Sequence, residues 1–324
     1  MTASETRFPA RAKSGPHRMR STDIDAVNQV FSDAFTERYR RDGMVGVRVP
    51  QLNPAIWRYA IEDAGEGAML WRDERGEVIA FNVAHRSGVE GWMGPLAVRP
   101  EWQGTGLGKT IVQGGIAWLR ANGCRVIGLE TMPRTMDNIG FYSAMGFVPG
   151  RLTITLTIEA AERDAPAPML GQLAPRARAE ELSACRDLTH AVAPGYDFTR
   201  ELELTLALAL GDVALLYQDQ HLAGFALFHV TSLVEGRSRE EMRVLKVVLR
   251  SDSHVDAMAA LLASAARRSG TRRAAWRIQS EYGSVYRQLI GLGAKVRWTD
   301  LRMTLAGFEE RCPSSGVVFS NWEI

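Results

Sequence analysis

An internal echo with a period of roughly 150 residues limits this chain more than any other feature. Phe81-Asn82-Val83-Ala84-His85 returns as Phe225-Ala226-Leu227-Phe228-His229, and subtracting 81 from 225 puts the copies 144 residues apart. Gly146 followed by Leu152-Thr153-Ile154-Thr155-Leu156 is likewise answered by Gly293 followed by Leu301-Arg302-Met303-Thr304-Leu305. Stacked repeat arrays have periods up to about 50 residues, so this pattern predicts two tandem copies of one larger unit rather than a solenoid. A length of 324 residues agrees with two domains.

Within the first copy, Ile24, Val27, Phe31 and Phe35 recur at helical spacing behind Ser21-Thr22-Asp23, which predicts a helix to about Arg40; a second helix follows Pro54. Ala68 to Trp71 and Val78 to Ala84 read as a hairpin around Asp73-Glu74-Arg75-Gly76, and Trp92 to Val98 as a third strand. A helix opens at Gly104 to Gly108 and stops at Asn122-Gly123. A buried strand over Val126 to Leu129, a helix around Asp137 to Met145 and strands over Phe147 to Ile158 close the unit. The expected fold class is α/β, an α+β arrangement on a mixed sheet.

The boundaries follow from composition. Residues 1–20 carry Arg7, Arg11, Lys13, Arg18 and Arg20 against Glu5 and lack the apolar stretch of a secretory signal; they read as a disordered leader, with an organelle-targeting peptide as the alternative. Residues 21–158 form the first domain. Residues 159–178, with Pro166, Pro168 and Pro175, form a linker, and 179–306 the second domain. In the tail, residues 307–324, the run from Gly316 to Ile324 reads as a strand that pairs back onto a sheet edge, that of the first domain being one candidate.

Several function classes are disfavoured at this stage. Of 39 basic residues only Lys13, Lys109, Lys246 and Lys295 are lysine, and the arginines are interspersed with 37 acids for a net charge of +2, so no basic stripe for nucleic acid exists. Apolar runs such as Leu204 to Leu210 fall far short of the ~20 residues that cross a bilayer. The 3 cysteines, Cys124, Cys185 and Cys312, form no C-x-x-C pair, and the 6 histidines show no ligand spacing, so no metal site is expected. A reducing cytoplasm is the expected location, and the oligomeric state is open.

Chemistry concentrates in Leu96-Ala97-Val98-Arg99-Pro100-Glu101-Trp102-Gln103-Gly104-Thr105-Gly106-Leu107-Gly108-Lys109. Glycines at alternate positions before a helix let backbone N–H groups close on a phosphate, while the positive end of the helix faces its charge. The run Gly104 to Thr110 superficially matches the G-x-x-x-x-G-K-T loop of nucleotide hydrolases, but the first glycine would have to sit at Gln103. A different resemblance extends over more of the chain. Leu96-Ala97-Val98-Arg99-Pro100 with Gln103-Gly104-Thr105-Gly106-Leu107-Gly108 resembles motif A of the GNAT acyltransferase superfamily. Phe141-Tyr142-Ser143-Ala144-Met145-Gly146-Phe147 resembles its motif B.

The resemblance implies two tandem GNAT-like domains, the first an acetyl-CoA-dependent N-acetyltransferase. It implies that backbone groups of Leu96, Ala97 and Val98 hold the acyl-pantetheine arm. Gln103 and the amides of Gly104, Thr105, Gly106, Leu107, Gly108 and Lys109 would cradle the pyrophosphate, and Tyr142 would protonate the departing thiolate. The family often has Asn seven residues before this tyrosine; here that position is Thr135, and Asn138 lies four before, so either could meet the pantetheine. For the general base, Glu130 and Glu90 are the nearest carboxylates in sequence, and His85 is weakened by its repeat partner His229. Trp57, Tyr59, Trp92 and Trp102 are candidates for an acceptor pocket, core packing being the commoner role of such residues. The acceptor is expected to be a small-molecule amine. In the second copy His254, Ala257 and Ala259 stand opposite Gln103, Gly106 and Gly108, and Leu289 opposite Tyr142 with Tyr286 nearby, so no working acyl-CoA site is expected there. The alternative of another class is a non-catalytic acyl-CoA sensor.

Overall fold

The computed structural model describes residues 12–163, 168–238 and 240–323. The first half contains β1 (Lys13–Arg18), α1 (Ile24–Arg41), α2 (Pro54–Ala64), β2 (Ala68–Asp73), β3 (Val78–Ser87), β4 (Glu90–Val98), α3 (Leu107–Ala121), β5 (Val126–Thr131), α4 (Met136–Ser143) and β6 (Phe147–Glu159). The second contains α5 (Pro175–Val192), α6 (Thr199–Ala207), β7 (Gly211–Gln218), β8 (His221–His229), β9 (Glu241–Leu249), α7 (Val255–Arg268), β10 (Arg273–Gln279), α8 (Gly283–Gly291), β11 (Lys295–Leu305) and β12 (Val317–Ser320). From α1 to β6 and from α5 to β11 the order of elements is the same, as the repeat requires. The parallel contact inside each half even keeps its register: Glu90 faces Val126, and Glu241 faces Arg273.

The halves do not form two sheets. One 12-stranded sheet runs β1-β2-β3-β4-β5-β11-β6-β10-β9-β8-β7, with β12 pairing β9. Each half therefore gives its last strand to the other: β11 pairs antiparallel with β5, β6 pairs antiparallel with β10, and β6 and β11 pair with each other in the middle. Apolar side chains cover both faces. Beneath α1 and α2 lie Trp57, Phe81 and Trp322, and beneath α3 and α4 lie Ile111, Leu129 and Phe147. The second half repeats the scheme with Phe198 and Phe225 on one face and Leu262 and Trp276 on the other. Trp57, Tyr59, Trp92 and Trp102 are all buried, so packing is their role and the expected acceptor lining does not apply to them. Among the described residues no helix is long and apolar enough to cross a membrane.

Three boundary expectations change. The leader reading fails for residues 13–18, which form β1 on the edge of β2; residues 1–11 lie outside the described residues. The stretch 159–178 is less of a linker than its prolines suggest, because β6 reaches Glu159, Met169 bridges to Ala214 and α5 starts at Pro175; Pro166 lies outside the described residues. The tail does form a strand, but β12 pairs with β9 of the second half instead of a first-half edge. Only beyond it does Trp322 cross over, stacking where Gly128 leaves room: a Cβ on Gly128 would lie 2.4 Å from the indole.

The strand exchange predicts that residues 12–163 and 168–323, made separately, do not reach a folded monomeric state, because β5 and β10 each lose a neighbour. Co-expression should recover a single complex that unfolds in one transition; independent folding of either piece, seen by circular dichroism and size exclusion, would contradict this.

Candidate active site

Beyond Met93 the parallel pairing of β4 with β5 stops. Pro95 has no N–H to continue it, and the register of β4 against β3 slips at this point. Leu96, Ala97 and Val98 stay paired to β3 through Asn82, Phe81 and Ala80, but their other edge faces a gap instead of a strand. That edge presents strand backbone to whatever enters, with the Val98 carbonyl already accepting from Gln103. The gap opens into a cleft of about 430 Å³ lined by β4, the glycine turn, α1 and α4.

The glycine turn forms the far wall. Gly104 and Gly106 have φ of +76° and +83°, a region that costs a residue with a side chain about 1–2 kcal/mol, and the space beside each is open. Gly106 is the N-cap of α3 and makes no side-chain cap, so the first-turn amides of Leu107, Gly108 and Lys109 are unclaimed by the helix. Gln103 ties the turn to β4 by donating from Nε2 to the Val98 carbonyl (3.1 Å), and Thr105 Oγ1 donates to the Trp102 carbonyl (2.7 Å). Leu96, Ala97, Val98, Gln103, Gly104, Gly106, Gly108, Lys109, Asn138 and Tyr142 all line the cleft. Thr105 and Leu107 do not. The Leu107 side chain is buried in the core, so these two can offer only backbone amides.

Tyr142 on α4 is 7% exposed and packs edge-on against Phe141 and Phe147. Burial raises its phenol further above its ordinary range, so the hydroxyl keeps its proton over the whole working pH range. Asn138, not Thr135, faces the cleft; Thr135 is the N-cap residue of α4 and donates to Asp42 (3.2 Å). Sequence reasoning missed the contribution of α1: Arg38 and Arg41 line the cleft, and Arg38 spans it to Asp137 on α4 (3.1 Å). The signal was the cluster Arg38, Arg40 and Arg41 in the last helical turn, which a solvated face explains equally well. Lys109, Arg38 and Arg41 give the mouth a positive rim.

Glu130 is not placed to act as a base. It lies outside the cleft lining, on the opposite face of β5 from Leu129, and both oxygens are taken. Arg302 Nε (2.8 Å) and Thr153 Oγ1 (2.5 Å) donate to one, and an Arg277 amino group donates to the other. Although burial opposes it, the two guanidiniums hold its carboxyl down to about 2, which leaves no appetite for an amine's proton. Glu90 is fully buried as well, accepting from Ser320 Oγ (2.6 Å) and from the Trp322 indole (2.9 Å). His85 is bound through Nδ1 to Asp63 (2.6 Å) beneath Trp92, away from the cleft. None of the three sequence candidates for the base touches the open space.

In the second half the corresponding cleft is closed. Taking 98 from 249 gives an offset of 151, which sets Val247, Val248 and Leu249 against Leu96, Ala97 and Val98. Those residues pair with Phe319, Val318 and Val317 of β12. Tyr282 at the start of α8 accepts from the Val318 amide (3.3 Å), Leu289 is buried in the place of Tyr142, and the turn before α7 has no glycine.

Residues 25–147 match the acetyltransferase (GNAT) family model. That match lies within the first half of the chain and carries both the glycine turn and Tyr142. A stretch of 126 residues is 29% identical to rice serotonin N-acetyltransferase 2, chloroplastic, covering 39% of this chain and 56% of the relative, so the match spans little more than half of that protein. The whole fold is that of a tandem GNAT protein. A putative acetyltransferase of Pyrococcus horikoshii superposes with TM-score 0.67 at 16% identity, over 99% of this chain and 98% of its own. A tandem GNAT protein from the clavulanic acid biosynthesis pathway superposes with TM-score 0.56 at 12% identity, over 88% and 96%.

The charge arrangement makes a stability prediction. An ordinary Glu titrates near about 4.3, whereas Glu130 titrates near about 2, so its contribution is complete above the unfolded value and lost as pH falls toward the folded one. Glu130→Gln removes the buried anion that Arg277 and Arg302 share, leaving them Asp300, Glu323 and Glu310, and is expected to cost about 3 kcal/mol at pH 7 in denaturant titrations, the gap to wild type narrowing below about pH 4.

Proposed function

We propose that the protein is an acetyl-CoA-dependent N-acetyltransferase that modifies a primary amine by direct attack on the thioester. The open edge of Leu96, Ala97 and Val98 beside the glycine turn carries this reading. An acyl-pantetheine arm can hydrogen-bond there as a missing strand would, with its pyrophosphate at the unclaimed amides of α3 and the positive rim around the 3′-phosphate end. Asn138 is the polar side chain positioned to meet the pantetheine amides.

The residues divide the chemistry. Attack by the amine nitrogen on the thioester carbon forms the C–N bond; collapse of the intermediate breaks C–S and leaves a thiolate. Tyr142 holds its hydroxyl at the cleft wall for that sulfur and supplies the proton, which is regained from solvent. The acceptor reaches the thioester from the α1 and α2 side, because the α3 and α4 side is taken by the nucleotide. The serotonin in the name of the rice relative makes arylalkylamines the first acceptors to try. A sensor without turnover is the competing reading, and Tyr142 separates the two.

Calorimetric titration is expected to give one acetyl-CoA per chain and no response to ATP, since β12 fills the second cleft; two sites would mean that the strand is displaced. In a thiol-release assay over a panel of primary amines, Tyr142→Phe should lower kcat by about 10²-fold or more with acetyl-CoA affinity unchanged. Equal turnover in the variant would remove Tyr142 from the mechanism.

A further inference from the structure

With Glu130, Glu90 and His85 sequestered, the base must come from elsewhere. Beyond β12 the chain is pinned: the Asn321 amide donates to the Leu245 carbonyl (2.9 Å), the Trp322 indole donates to Glu90, and the Glu323 amide donates to Asn321 Oδ1 (3.1 Å). This sets the Glu323 carboxylate in a recess on the α1 side of the sheet. Arg277 Nη1 lies 3.0 Å from it, and carboxylate oxygens of Glu130, Asp300 and Glu323 all lie within 4.8 Å of one another. Glu130 and Asp300 are buried and committed to Arg277, but about half of the Glu323 side chain, 51%, remains accessible.

The recess adjoins the cleft. Glu130 is followed by Thr131, whose Oγ1 accepts from the cleft-lining Asn138 (3.4 Å). On α1, Tyr39 is close enough to feel the charges of Glu323 and Asp300, while Arg38 beside it lines the cleft. Glu323 does not itself line the cleft; it stands beside it, at the end of β5 and facing α1, both of which border the open space.

We propose that Glu323 is the general base of the reaction, delivered to the first half's acceptor side by the strand that plugs the second half. This assignment rests on the acyltransferase reading. Two protons leave the nitrogen overall. The first passes from the ammonium to the Glu323 carboxylate and on to solvent, freeing the lone pair; the second leaves as the amide forms and balances the one that Tyr142 gives to the sulfur. Five groups from five elements face Glu323: Arg277 on β10, Asp300 on β11, Glu130 on β5, Arg243 on β9 and Tyr39 on α1. Desolvation in the recess and the two carboxylates outweigh the arginines and raise its carboxyl to about 7. The ionised base is thus gained as pH rises through about 7, near the value that general-base catalysis favours.

The test is the pH dependence of kcat/KM for full-length wild type, Glu323→Gln and Glu323→Asp, with the best amine of the panel as acceptor. Wild type should show an acidic limb near pH 7. Glu323→Gln should lose about 10²-fold or more and the limb with it, while calorimetric acetyl-CoA binding and Tm stay at wild-type values. Glu323→Asp, which keeps a carboxylate, should recover part of the rate with a shifted limb, and it decides the matter if Glu323→Gln does not fold. Wild-type rates and an unchanged limb in either variant would overturn the assignment alone. No turnover by wild type on any amine would overturn the acyltransferase reading and this assignment together.

Discussion

The trade of β6 for β11 between the two halves determines the rest of the molecule. Strand β5 has β4 on one edge only and would otherwise leave its far edge bare, and an unpaired buried edge is costly. Here β11 covers it, with Leu301 to Thr304 set against Gly128 to Thr131. By the repeat symmetry β6 does the same for β10. Neither half can therefore complete its own sheet, and β5, the strand from which β4 splays, is braced on its far edge by a strand of the other half.

The charges at the centre obey the same symmetry. Taking 130 from 277 gives 147, the offset that also relates Gly146 to Gly293; the strand pairing makes Thr153 the counterpart of Asp300 and Thr155 that of Arg302 at that offset, two residues away from the match of Leu152 with Leu301 read from sequence. Glu130 and Arg277 are thus equivalent positions in the two copies, and they pair with each other across the exchanged strands. An acid at one position and a base at its counterpart place a buried ion pair where the two copies meet. Such a pair adds little net stability over well-packed apolar side chains, yet losing one member is expensive. Its consequence for the site is that Glu130 is spent as a structural anion, and its lowered carboxyl contrasts with the raised one of Glu323 a few ångströms away. Two carboxylates in one cluster are pushed to opposite ends of the scale by how many guanidinium donors each accepts.

The two clefts show how the same architecture is kept open or closed. In the first half, glycines at positive φ and a strand edge without a partner leave room for a phosphate and an amide-bearing arm. In the second, a polypeptide strand takes the edge, supplying the hydrogen bonds that a ligand would otherwise make. The plug is also a tether. Ser320 meets Lys246 (2.7 Å) and Glu90 (2.6 Å), the latter in the first half, so closing one cleft fixes the residues that follow beside the other.

Much of this was legible in the chain. The repeat, the α/β order of elements, the glycine turn and the tyrosine of α4 are local patterns: periodicity, turn chemistry and short spacing specify them without reference to distant residues. For the same reason the cleft-lining residues from Leu96 to Lys109 and Tyr142 could be named in advance, since one strand, one turn and one helix carry them. Long-range partnership was not legible. Nothing in Phe147–Glu159 says that its neighbour is β10 of the other copy, because alternating apolar strands fit any buried edge. Glu130 looked like a free acid because its two arginines lie 147 and 172 positions away. Arg38 and Arg41 looked like solvent charges, and Glu323 like part of a tail. The sequence by itself determined which local units form and where a phosphate could sit; only the tertiary structure decided which charges cancel and which stay available, because burial and proximity set the cost of every charge and neither is a property of neighbours in sequence.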